Sequence, residues 1–204
     1  MTRRPLDAYP TPARLTEALL RHVPIAGHVL EPCAGAGLMA DSLQATPGVG
    51  VVYRNDISPG YDTLWTNDAT DPRASMWKTE PDWVVTNPPY NEAAAILANA
   101  YRSATIGVAF LLRLSFLEPT NGRRDWLQAH RAELSDLLIF GSPRPSFTDN
   151  GRTDSATVAW MVWRYGWRRG TAVRFVTGWD GRDEMVRRCQ RNLPDESCQD
   201  DSPR

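Results

Sequence analysis

Two stretches of this 204-residue sequence hold residue types whose spacing could do chemistry. The first is Asn87-Pro88-Pro89-Tyr90, directly after the apolar run Trp83-Val84-Val85. Two successive prolines end a strand's hydrogen-bond ladder and fix a rigid extended turn that keeps its carbonyls but has lost N–H donors. Such a turn presents acceptors. The Asn87 amide oxygen and the Pro88 carbonyl can together accept the protons of an exocyclic amino group, which draws its nitrogen toward tetrahedral geometry and frees the lone pair for attack. Tyr90 supplies a flat face for a planar amide or base.

The second stretch is Glu31-Pro32-Cys33-Ala34-Gly35-Ala36-Gly37. A strand ending in an acid, then Gly-x-Gly opening a helix, lets backbone approach a ligand closely and points helix N–H groups at an anion or carboxylate. It lacks the third glycine of the dinucleotide fingerprint and the Lys-Ser/Thr of a phosphate loop, so NAD and ATP sites are poorly supported. Asp56 stands 19 positions after Gly37 at the end of the next strand, where a carboxylate can accept hydrogen bonds from two ribose hydroxyls. Alone, each is satisfied by a structural reading, a packing glycine or a turn-capping Asp. Paired, they point to a nucleoside ligand.

Positioning these turns requires a particular set of elements. Thr11-Pro12 reads as a helix start, with Thr11 as N-cap and Leu15, Leu19, Leu20 and Val23 as the apolar stripe. Short apolar runs at 28–30, 51–54, 83–85, 108–112, 137–140, 157–163 and 173–176 read as strands. Between or after them, 38–44, 92–102, 125–134 and 182–191 read as helices. Alternating strands and helices predict an α/β fold, a mostly parallel seven-stranded sheet with helices on both faces. The carboxyl ends of its strands are then the place for chemistry. One domain is expected over 1–191, followed by an acidic, disordered tail over 192–204 with a net charge of −3.

Composition narrows the classes further. Charged residues make up 23% and AVILMFWYC residues 42%, too apolar for a disordered chain. No run approaches the roughly 18 apolar residues of a membrane span, and no signal-peptide stretch follows the N-terminus. A soluble, cytoplasmic protein without a membrane partner is expected. Cys33, Cys189 and Cys198 contain no CxxC pair, which argues against disulfides and against a zinc site, so no metal is expected and Cys33 reads as a small core residue. Of the 23 basic residues only Lys78 is lysine. Arginine codon bias and selection for bidentate phosphate contact explain this equally well.

In this order, Glu31-Pro32-x-x-Gly35-x-Gly37, Asp56, Asn67-Asp68-Ala69 and Asn87-Pro88-Pro89-Tyr90 resemble the S-adenosylmethionine-dependent amino-methyltransferases. With Tyr9-Pro10-Thr11-Pro12 in front, the arrangement is similar to the gamma-ordered N6-adenine DNA methyltransferases. Later segments such as Leu112 to Glu118, Pro143 to Thr148 and Trp160 to Trp163 look like the small phage and prophage enzymes of restriction-modification type. The resemblance implies a Rossmann-like class I methyltransferase fold and S-adenosyl-L-methionine as cofactor. It also implies that Asp56 holds the ribose, Asp68 with Ala69 the adenine amino group, and Ile57 the adenine ring. Cys33, Ala34, Gly35 and Gly37 would approach the methionine end with Glu31 beneath, Thr11 and Tyr9 closing over it and Asn87 bordering it. Asn87, Pro88, Pro89 and Tyr90 would carry catalysis on an adenine flipped out of DNA. Phe147 would either clamp that base from its second face or anchor its loop. Arg144 and Arg152, with Arg113, Arg123 and Arg124, would be candidates for phosphate contact.

The resemblance leaves alternatives at the substrate. The same tetrad occurs in enzymes that methylate RNA bases, cytosine N4 or a protein glutamine, and a catalytically silent nucleic-acid-binding subunit is a further class. Fewer than about 120 residues follow Tyr90, most of them needed for the sheet, so short or relaxed sequence specificity and a monomer or weak dimer are expected.

Overall fold

The computed structural model describes residues 10–141, 144–145 and 156–179. The expected helix at 182–191 and the acidic tail at 192–204 lie outside the described residues, as do Tyr9, Phe147 and Arg152. Helix α1 (Ala13–His22) leads into β1 (Gly27–Glu31), α2 (Leu38–Gln44), β2 (Val49–Arg54), β3 (Trp83–Thr86), α3 (Ala93–Ser103), β4 (Gly107–Arg113), α4 (Arg124–His130), β5 (Leu134–Phe140), β6 (Val158–Arg164) and β7 (Ala172–Val176).

The seven strands form one sheet in the order β2-β1-β3-β4-β6-β5-β7. All run the same way except β6, which is antiparallel to both β4 and β5. A parallel neighbour needs a crossover, usually a helix, whereas an antiparallel one does not. The 141–157 connection carries no helical pattern, and β6 accordingly turns back against β5. The link at 165–171 then returns the chain past β5, so that β7 pairs parallel to it on the outer edge.

Near-continuous apolar strands arise because both faces are covered. Side chains alternate along each strand: Val29, Trp83, Val85, Ala109, Leu111, Trp160 and Val162 join Leu15, Leu19, Met39 and Leu43 in one core. Leu30, Val84, Val108, Phe110, Leu112, Met161 and Trp163 join Ile96 and Leu97 of α3 in the other. The Trp160 indole N–H donates to the Leu15 carbonyl at 2.8 Å, tying α1 to the sheet centre.

Several expectations change. Thr11 is not the cap of α1: Pro12, extended at φ −56° and ψ 131°, holds that position without a side-chain bond, and the Thr11 hydroxyl accepts from the Asn87 amide instead. The helix expected over 125–134 closes at His130, and Leu134 already begins β5. Arg164 and Arg174 both pair with buried Asp136 at 3.1 and 2.6 Å, at the end of the sheet opposite the carboxyl edge. They serve the fold.

Candidate functional site

At the carboxyl end of β1 the chain turns through 32–37 into α2, with Gly35 at φ +50° and Gly37 at φ +82°. These left-handed angles suit glycine. A methyl at Gly37 would meet Arg54 Nη1 at 2.8 Å, whereas a methyl at Gly35 would meet nothing within 4 Å. Gly35 therefore faces open space.

Asp56, just past β2, is buried and splits its oxygens: Oδ2 accepts the Gly35 N–H at 2.8 Å and Oδ1 the Ser58 N–H at 2.8 Å. The second lone pair on each oxygen remains for a hydroxyl donor. Ile57 beside it is half exposed. The structure thus brings Gly35 and Asp56, 21 positions apart, into direct contact.

Two asparagines that the sequence reading did not single out hold the next loop. Asn55 is fully buried; its amide donates to the Pro32 carbonyl (2.9 Å) and the Asn67 carbonyl (3.0 Å), and its Oδ1 accepts the Asn67 N–H at 2.9 Å. Asn99 of α3 donates to the Ala69 and Thr70 carbonyls at 2.9 and 3.0 Å. Asp68 is held between these clamps, exposed, with Oδ1 accepting from the Thr70 N–H and hydroxyl. Ala69 is buried. The available signal was the amide beside Asp56 at the carboxyl end of a strand, where a side chain drawn into the sheet's edge must find partners.

Glu31, the last residue of β1, is 2% exposed. Burial pushes its carboxyl well above the usual carboxylate range, opposed by the Arg54 guanidinium and a backbone hydrogen bond from Ala40, while Asp56 and Asp41 push it further up. Its Oε2 is buried with no hydrogen-bond partner. Burial likewise pushes the Cys33 thiol up, with Asp56, Glu31 and Glu92 adding to the shift and Thr86 opposing it. A buried, unsatisfied carboxylate oxygen costs stability. Here it stands near two further carboxylates, Asp56 and Asp41.

The Asn87–Tyr90 turn leaves β3 on the same sheet edge. The Asn87 amide donates to the Thr11 hydroxyl at 3.0 Å across 76 positions, which fixes the amide plane and leaves Oδ1 as the acceptor. Pro88 is buried and Pro89 partly so. The Tyr90 ring is half-buried and packs against both cores, and the Arg113 guanidinium carbon lies 4.8 Å from its centroid.

Among the arginines proposed to contact phosphate, Arg113 and Arg144 are exposed. Arg123 instead locks its own loop, donating to the Ser115 and Glu118 carbonyls at 2.9 and 3.0 Å over the Phe116 ring. Arg124 pairs with Asp125 at 2.9 Å. Among the described residues there is no group of three or more His, Cys, Asp or Glu arranged to hold a metal, and no helix is long and apolar enough to cross a membrane.

The sequence matches no protein-family profile and no curated protein. Solved structures do match. A protein proposed to be a class I S-adenosylmethionine-dependent methyltransferase from Listeria monocytogenes superposes with a TM-score of 0.58 at 11% identity, covering 87% of this chain and 67% of that one. A type I restriction-modification methyltransferase subunit from Streptococcus thermophilus gives a TM-score of 0.57 at 12% identity, covering 91% of this chain but 54% of its own length. A protein proposed to be an RNA methyltransferase from Pyrococcus horikoshii gives 0.55 at 15% identity, with 78% and 87% covered. The chain therefore has the Rossmann-like fold of class I methyltransferases, and it spans about half the length of the restriction-modification subunit.

Proposed function

We propose that this chain is an S-adenosylmethionine-dependent methyltransferase that acts on the exocyclic N6 amino group of adenine in DNA, with the base flipped out of the helix. The observation that carries this reading is the juxtaposition at one sheet edge of a carboxylate-lined glycine turn and an Asn-Pro-Pro-Tyr turn whose amide is oriented by Thr11.

The residues fit the cofactor. Glu31 offers a buried carboxylate oxygen without a partner to the cationic methionine end, in the space that Gly35 leaves open. Asp56 suits the ribose hydroxyls, Ile57 covers the adenine ring, and Asp68, with Ala69 packed behind it, reaches the adenine amino group. Cys33, Ala34 and Gly37 complete the wall. Bound there, S-adenosylmethionine supplies a sulfonium methyl that is already activated for transfer.

The chain's own work is then orientation. Asn87 Oδ1 and the Pro88 carbonyl accept the two amino protons, which turns the nitrogen lone pair out of conjugation with the ring. Tyr90 stacks on the base and fixes its plane, while Pro89 keeps the turn rigid. Holding nucleophile and methyl in line while excluding water contributes by proximity, with no covalent nucleophile required. Arg113 and Arg144, both exposed, are proposed to meet the phosphate backbone together with Arg152, and Phe147 to offer a second aromatic face.

Incubating the protein with tritium-labelled S-adenosylmethionine in parallel with unmethylated duplex DNA, RNA and protein tests the reading. Label is expected on DNA. Label on RNA or protein alone would keep the chemistry and overturn the substrate; label nowhere would overturn the enzyme.

A further inference from the structure

We propose that Arg113 closes the base pocket when no substrate is bound, its guanidinium standing in on Tyr90 for the planar base that later replaces it. The inference rests on the proposed methyl transfer to a flipped base and adds a gate to that site. Tyr90 is partly buried and packs against both hydrophobic cores. Over that ring stands the Arg113 guanidinium, its carbon 4.8 Å from the centroid.

That placement is not explained by an ion pair. No salt bridge among the described residues involves Arg113, although its side chain is exposed at the end of β4, where water would solvate it fully. β4 is the neighbour of β3 in parallel register, with Phe110 opposite Thr86. Arg113 and the turn that follows Thr86 therefore emerge side by side. A guanidinium is planar and weakly hydrated, the side chain best suited to cover an aromatic face in place of a base. Held there, it keeps the pocket filled and dry; displaced by an entering base, it is released at the mouth of the site, where a phosphate can receive it.

A phosphate-free probe separates gating from phosphate binding. S-adenosylhomocysteine binding is measured first by calorimetry; at saturation it fills the cofactor site. The fluorescent nucleoside 2-aminopurine deoxyriboside is then titrated into wild type, Arg113→Ala, Arg113→Lys and the double variant Tyr90→Leu/Arg113→Ala, all checked for folding by their melting curves. Arg113→Ala is expected to bind the nucleoside about two- to five-fold more tightly than wild type, the contribution of one exposed cation–π contact. Arg113→Lys, charged but not planar, should fall between them. The gain should vanish in the double variant, where leucine fills the volume without an aromatic face. Unchanged or weaker nucleoside binding by Arg113→Ala, or binding by no variant while S-adenosylhomocysteine binds normally, would overturn the gate alone. Failure to bind S-adenosylhomocysteine would instead overturn the proposed function, and the gate with it.

Discussion

Gly35 and Gly37 share a left-handed backbone yet differ in what a methyl group would meet, so a pair of alanine substitutions separates ligand binding from folding. Gly35→Ala and Gly37→Ala each force a side chain into φ +50° or +82°, a strain of about 1–2 kcal/mol. At Gly37 the new methyl also meets Arg54 Nη1 at 2.8 Å. Moving that guanidinium breaks its 2.7 Å pair with Asp41, which, with side chains 29% and 63% exposed, adds no more than about 1 kcal/mol. Each kcal/mol lowers the melting temperature of a chain of this size by roughly 2–4 °C, so both variants melt lower and Gly37→Ala lowest. Their affinities diverge. The methyl at Gly35 enters the open space assigned to the methionine end of the cofactor, where nothing lies within 4 Å to relax against it. S-adenosylhomocysteine binding by calorimetry should weaken at least tenfold, or about 1.4 kcal/mol, whereas folded Gly37→Ala, whose methyl points at Arg54 and not into that space, should lose less affinity than Gly35→Ala. Wild-type affinity in Gly35→Ala would refute the assignment of that space.

Three further substitutions follow from the geometry. Glu31→Gln removes a carboxyl that burial holds well above the usual range. Such a group binds more protons folded than unfolded, so its contribution weakens folding as pH rises from the ordinary carboxylate range to the raised value. The variant should melt above wild type in alkaline buffer and level with it in acid, and should bind the cationic cofactor more weakly where the wild-type carboxyl is ionised, the difference closing in acid; a constant difference in melting across pH would contradict this. Asn55→Ala removes three hydrogen bonds of a buried side chain and should cost about 2–4 kcal/mol in a urea titration; a loss under about 0.5 kcal/mol, the range of an ordinary surface change, would mean that the loop stands without it. Asp136→Ala strips both partners' carboxylate from Arg164 and Arg174 and should cost about 3 kcal/mol with little change in cofactor affinity; a lost affinity at unchanged stability would place this pair in the site.

Much of the fold was legible because its signals are local. Short apolar runs separated by helical patterns marked all seven strands, and Glu31, Gly35, Gly37, Asp56 and Asn87 each stand at a strand end where a sheet of this kind gathers them. What was not legible depends on partners distant in sequence. Thr11 has the residue type and place of an N-cap, but its hydroxyl meets Asn87 76 positions away, a contact that no local pattern encodes. Residues 131–134 continue a helical pattern, yet pairing with β6 draws Leu134 into β5. Asn55 and Asn99 look like ordinary polar residues until the loop they clamp is folded against them. Nor does any local pattern show that Arg164 and Arg174, ten positions apart, answer a single buried aspartate, Asp136.

The most direct test is where the methyl group goes. Duplex DNA incubated with tritium-labelled S-adenosylmethionine and wild-type protein, digested to nucleosides and chromatographed, should carry its label in N6-methyl-2′-deoxyadenosine. Asn87→Ala, with its amide acceptor gone, should bind S-adenosylhomocysteine yet lose at least a hundredfold in rate, the order expected when one oriented polar group at a reacting centre is removed. Label in another nucleoside, or an Asn87→Ala variant as fast as wild type, would contradict the proposed chemistry of the Asn87–Tyr90 turn.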